Sequence, residues 1–190
     1  MTEIYRYITC VEIGDGSNAA QARQVEAMIQ EFAQLKKNFG FVGPRSSYER
    51  TYVQHIDTGI FSGLSKKIIF SIKAIPHITS STNVVTRDAL IAILSVLLGR
   101  KTIYELHKQP TFLAKILLRL LNTSSSQYLR ICVISHALKA YLLGSFSVPE
   151  KKIFVAHDGG FENPCLGRGS DLNLNRYFDS EKELTVMLHS

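Results

Sequence analysis

Residues 131–160, ICVISHALKAYLLGSFSVPEKKIFVAHDGG, admit few folds. ICVIS is apolar and ends in a hydroxyl, ALKAYLL follows with helical apolar spacing, and VPEKK marks a turn. IFVA then makes a second strand that runs into His157, Asp158, Gly159 and Gly160. A strand, a helix and a strand in so short a span form a crossover unit of a parallel sheet. Glycines just after a buried strand let the backbone turn sharply or approach a ligand, so chemistry is expected at the carboxyl ends of the strands.

The rest of the chain repeats this alternation. Residues 4–13 are β-rich and lead into a glycine loop holding Gly14, Gly16 and Ser17. Residues 19–34 follow with the apolar period of a helix, for which Ser17 or Asn18 is the N-cap. A short strand is predicted at 39–42, an element helical or extended at 68–75, and a strand at 83–86. A helix at 89–98, a strand at 101–106 and a helix at 112–121 come next, while residues 45–57 are polar and without clear pattern. Such alternation implies an α/β, Rossmann-like parallel sheet with helices on both faces. Right-handed crossovers then gather the Gly14 loop, Arg87, His107, Ser135 and the His157 loop at one sheet edge. The Gly, Asn and Asp-rich stretch 162–180 reads as a loop, and 183–188 (ELTVML) as one more strand.

With 190 residues there is room for one domain with a real core. Its 45% hydrophobic and 20% charged residues describe a globular chain. Cys10 and Cys132 lie in apolar runs and are expected to be buried thiols, which with Cys165 makes an odd, widely spaced set. That fits a reducing, cytoplasmic setting, and no ligand spacing for a metal is present. No leader pattern opens the sequence, and no apolar stretch of about 18 residues occurs to span a bilayer. The formal charge is +6, concentrated between Gly99 and Lys152, where nine basic residues face Glu105 and Glu150. A basic half suits an anionic partner such as a phosphate, an anionic lipid or a nucleic acid, and equally an ordinary solvated surface. Nucleic acid is not expected, because neither an aromatic platform nor a helix-turn-helix layout accompanies the charge.

Several residues carry possible chemistry. The strand, glycine loop and helix around Gly14, Gly16 and Ser17 form a phosphate-cradle layout, although a tight turn requires the same residues. The spacing is neither a Walker A nor a dinucleotide fingerprint, which ranks an oxidoreductase low. His107 ends a strand on the same side as Glu105, so the carboxylate could orient the imidazole towards a sugar hydroxyl or a phosphate, or pair instead with Lys101 or Lys108. Arg87 could bind an anionic group, cap its strand or pair with Asp88. Ser135 is read as a helix cap, not a nucleophile. The helix at 112–121 carries Lys115 and Arg119 four residues apart, as on a basic amphipathic helix on anionic lipid or on a sheet-packing helix with a solvated edge.

The order of these motifs resembles the N-terminal domain of family 4 glycosyltransferases of the GT-B fold. GDGSNAAQARQVEAMIQEFA is similar to that family's opening loop and helix, NVVTRD to its strand ending in Arg, and YELHK to its strand ending in Glu-x-His. VISHALKAYL and VPEKKIFVAHDGG resemble its next two motifs, so the likeness spans residues 4–161. The family usually has an acidic residue where this chain has His136, and often Gly-Val-Asp near Gly159, Gly160 and Phe161.

The resemblance implies a retaining enzyme that moves a sugar from a nucleotide-sugar to a glycan or lipid-linked acceptor, as in polysaccharide biosynthesis, with no cofactor and no metal. It implies that His107 and Glu105 lie at the reaction centre, that Gly14, Gly16 and Ser17 hold the donor phosphate, and that Arg87 meets the acceptor. Residues 1–161 would then be the acceptor-side domain, and 162–190 the linker and first strand of a donor domain absent from these residues. The expected consequences are inactivity alone, a partner chain that supplies the donor domain, and peripheral contact with the inner membrane face through 112–121. The alternative is a non-enzymatic Rossmann-like module that binds a nucleotide, a phosphate or an anionic membrane surface.

Overall fold

A computed structural model describes residues 3–11, 38–44, 52–120 and 127–156, together with the helical positions Ala22, Val25, Glu26, Ile29 and Gln30. Gly14, Gly16, Ser17, the His157 loop and the segment 162–190 lie outside the described residues.

The strands are β1 (Tyr5–Ile8), β2 (Phe39–Pro44), β3 (Val53–Ile56), β4 (Asn83–Thr86), β5 (Lys101–Leu106), β6 (Leu129–Val133) and β7 (Ile153–Val155). The helices are α1 (Gly63–Lys73), α2 (Ile75–Thr79), α3 (Ala89–Leu97), α4 (Phe112–Leu120) and α5 (His136–Ser145). All seven strands join one sheet in the order β3-β2-β1-β4-β5-β6-β7, and every neighbouring pair is parallel. The chain winds outward from β1 to β3, returns to β4 beside β1, and then winds the other way to β7. The α/β class with helices on both faces is therefore as expected, with β1 and β4 flanking the point where the winding reverses.

Strand alternation divides the core. On one face Ile8, Val42, Ile56 and Val84 pack under Phe70, Ala74, Ile78 and Ile91. Farther along the sheet Tyr104, Leu106, Ile131 and Val133 pack under α3, α4 and α5 through Ala92, Leu117, Leu118 and Leu142. On the opposite face Tyr5, Tyr7, Phe41, Val85 and Ile103 pack against Ala22, Val25 and Ile29.

Two local signals set the ends of the helices. Ser135 accepts a hydrogen bond from the Leu138 N–H at 3.2 Å, the expected cap of α5. α3 closes on Gly99, at φ +70°, with Gly99 N–H donating to Val96 O at 3.0 Å and Arg100 N–H to Ser95 O at 2.9 Å. This paired closure needs a left-handed residue at Gly99, and it delivers the chain directly into β5.

Three expectations change. The patternless stretch holds β3, a short edge strand whose middle residues are exposed. The element expected at 68–75 is α1, a helix that begins at Gly63. Cys10 and Cys132 are half-buried rather than buried: Cys10 lies beyond the end of β1, and Cys132 faces the Tyr7 side of the sheet at the margin of that core cluster.

Candidate functional site

The parallel register brings the key side chains together. Tyr7 of β1 is level with Val85 of β4, and Val85 is level with Ile103 of β5. One step of alternation further, Arg87 and Glu105 point to the same face as Tyr7, at the carboxyl edge of the sheet. His107 follows two residues on.

Glu105 is the centre of this group. Its side chain is 7% exposed, and its Oε2 accepts from the Tyr7 hydroxyl at 2.9 Å and from Arg87 Nε at 2.8 Å. His107 Nε2 stands 3.7 Å from the same oxygen, an electrostatic approach longer than a hydrogen bond. Burial by itself would raise the Glu105 carboxyl, but His107 and the Arg87 guanidinium outweigh it and hold the group below its ordinary value. Burial, and after it the Glu105 charge, push the Tyr7 phenol well up, so Tyr7 donates as a neutral hydroxyl. The carboxylate is thus a fixed, ionised acceptor, suited to positioning its neighbours. His107 is more open, its side chain 22% exposed.

A second group locks the winding reversal itself. Asp88 Oδ2 accepts from Thr9 Oγ1 at 2.9 Å and from the Cys10 N–H at 2.7 Å. The Asp88 N–H in turn donates to Thr86 Oγ1 at 3.0 Å. The turn after β4 is thereby tied to the segment after β1, directly before the glycine loop in sequence.

Of the residues singled out from sequence, Glu105, His107 and Arg87 come together, and Ser135 follows β6 at the same sheet edge. Arg87 pairs through Nε with Glu105, and Asp88 is engaged by Thr9 and Cys10 instead. Glu105 meets Tyr7, Arg87 and His107 in place of the lysines beside it. Sequence reasoning missed Tyr7 and Thr9. The alternation of IYRYIT gave their face, but only the strand order gives their neighbours. On α4, Ala114, Leu117 and Leu118 are buried in the core, Lys115 and Arg119 are exposed, and Phe112 is 76% exposed. Among the described residues no cluster of His, Cys, Asp or Glu could hold a metal ion, and no helix is long and apolar enough to cross a membrane.

No protein-family model matches the chain, and no curated protein matches it. Among solved structures, the fold is similar to a crystal structure of a glycosyltransferase from Rickettsia africae ESF-5, with a TM-score of 0.52 at 14% identity. The match covers 82% of this chain and 43% of that one, so the chain spans less than half the length of the structure it resembles.

Proposed function

We propose that this chain is the acceptor-side, Rossmann-like domain of a retaining glycosyltransferase that moves a sugar from a nucleotide-sugar to a glycan or lipid-linked acceptor. The observation that carries the reading is the ionised, buried Glu105 beside His107 at the carboxyl edge of the sheet, one strand from the winding reversal, near which open α/β sheets bind ligands. The likeness in fold to a glycosyltransferase supports it. His107 faces the sugar at the reaction centre and Glu105 orients it. Gly14, Gly16 and Ser17 supply backbone and hydroxyl donors to the diphosphate. Arg87 keeps Glu105 ionised and borders the acceptor side.

In the reaction the acceptor oxygen bonds to the sugar carbon as the bond from that carbon to the donor phosphate breaks, on the same face. The acceptor proton passes to the departing phosphate. Such chemistry depends on positioning and on stabilising the phosphate charge. Residues 162–190 lead into a donor domain or are completed by a partner chain, and the domain alone transfers nothing. We place it in the cytoplasm, with α4 resting Lys115 and Arg119 on the inner membrane face.

The test is saturation-transfer NMR on the full chain with UDP-glucose, GDP-mannose and UDP as probes, followed by incubation with the radiolabelled sugars and a membrane extract. Saturation of sugar protons, together with transfer above that of the extract alone that is lost in His107→Ala, is the expected result. The second reading, a nucleotide- or phosphate-binding module without catalysis, is favoured by the basic stretch between Gly99 and Lys152. Nucleotide saturation with no transfer product would establish that reading over the first.

A further inference from the structure

The fold leaves one half-buried cation, Arg6, without a counter-charge. Arg6 alternates with Tyr7 on β1 and projects to the face of the sheet opposite Tyr7 and Glu105. Its level neighbours on that face are Gly40 of β2 and Val84 of β4. Gly40 makes room for it, since a Cβ there would stand 3.0 Å from Arg6 Nη1. Nη1 donates to Gln54 Oε1 of β3 at 2.9 Å, and among the described residues this neutral amide is the guanidinium's only hydrogen-bond partner. Nε is buried and meets no acceptor. His77 of α2 is the titratable neighbour. Burial first, and then the Arg6 charge, hold its imidazole below the ordinary value. Burial also draws the Arg6 guanidinium down from its ordinary value. Among the described residues no carboxylate pairs with either group.

Proteins ordinarily pair a charge that they take out of water. The Glu105 group on the other face does so, with Arg87 at 2.8 Å. Around Arg6 the groups on offer are donors. Its outer nitrogen Nη2 has no protein acceptor among the described residues, Gln54 has its Nε2 hydrogens left to give, and the His77 ring supplies an N–H. Three donors from three elements around one unpaired guanidinium suit an anion with several oxygens. We propose that Arg6, His77 and Gln54 form a binding site for a phosphate group, carried either by free phosphate or by a phosphate monoester. Arg6 Nη2 and the imidazole donate to two of its oxygens, and the Gln54 amide to a third. The bound anion joins β1, β3 and α2 and so stabilises the folded chain by mass action. The site is separate from the Glu105 group, which lies on the other face. It does not depend on the transfer reading, since a chain that transfers nothing would still bind phosphate here.

The experiment is heteronuclear NMR of the imidazoles in the full chain, titrated with inorganic phosphate and, separately, with ribose 5-phosphate, at an ionic strength held constant with chloride. His77→Gln assigns the His77 signals among the six His. Expected is a saturable shift of the His77 signals with both ligands. Arg6→Gln, with far-UV circular dichroism unchanged, weakens binding about tenfold or more, and Arg6→Lys, which keeps the charge but not the planar fork, falls between it and the parent. Gly40→Ala leaves the guanidinium in place as a charge but crowds Nη1, and also weakens binding. Phosphate raises the thermal midpoint of the parent and has less effect on His77→Gln. Equal affinity for the two ligands assigns the site to free phosphate, and tighter binding of the ester assigns it to a phosphorylated ligand; both support the site. No saturable shift at His77, or a shift that Arg6→Gln and Gly40→Ala leave unchanged, would overturn the proposal. So would a shift at His107 with none at His77, which would leave the reading of the Glu105 edge standing.

Discussion

Glu105 cannot be neutral in this fold without loss, because the Tyr7 hydroxyl and the Arg87 Nε both donate to one of its oxygens. Removing one partner of a buried charge pair leaves the other uncompensated, so Arg87→Ala is expected to cost about 3 kcal/mol in urea unfolding. Tyr7→Phe removes one hydrogen bond and is expected to cost about 1–2 kcal/mol. A double-mutant cycle of Arg87 with Glu105 is expected to show coupling of about 1 kcal/mol or more. The folded carboxyl lies below its ordinary value of 4.5. Its stabilisation is therefore complete above that pH and is lost as pH falls through the folded value. Stability measured at a series of acid pH values should fall less steeply in Glu105→Gln than in the parent. His107→Ala, by contrast, is expected to leave stability within about 1 kcal/mol, since the imidazole is at the open rim of the group, 22% exposed.

At the scale of the element, short signals at the chain's bends set the geometry that the site needs. Ser135→Ala removes the side-chain bond that caps the Leu138 N–H at the start of α5, with an expected cost of about 1 kcal/mol in thermal unfolding. Gly99→Ala forces a left-handed conformation on a residue with a Cβ, although nothing crowds the position, and about 1 kcal/mol is expected from the backbone alone. Since Gly99 opens directly into β5, amide exchange should quicken in Lys101–Leu106 of that variant. Ser135 and the strand β4 were legible because each rests on a few adjacent residues. α1 was not, because Ile68 and Ile72 sit outside while Phe70 sits inside, so apolar residues circle the helix and blur its period. β3 was hidden for the opposite reason, with Gln54 and His55 exposed in a four-residue edge strand.

Taken as a whole molecule, the alternation of strands and helices was enough to give the parallel sheet and the edge on which Arg87, His107 and Ser135 fall. The partnerships at that edge were not available in the same way. Arg87 and Glu105 stand 18 positions apart and Tyr7 and Glu105 stand 98 apart, so only the placement of β4 between β1 and β5 reveals them. Sequence reasoning about charges tends to pair neighbours, as with Arg87 and Asp88, whereas a sheet pairs register. The bond between Tyr7 and Glu105 has a measurable counterpart. Tyr7 belongs to the winding from β1 to β3 and Glu105 to the winding from β4 to β7, so Tyr7→Phe should lower protection in both.

The same bond between the two windings bears on how such a chain can change over generations. Tyr7, Arg87 and Glu105 are held in place by folding whether or not any reaction occurs at this edge. A lineage that gave up its chemistry would keep all three for as long as it kept the sheet. His107 is the most open member of the group, so its persistence in a descendant is the part of this edge that would speak for work still being done.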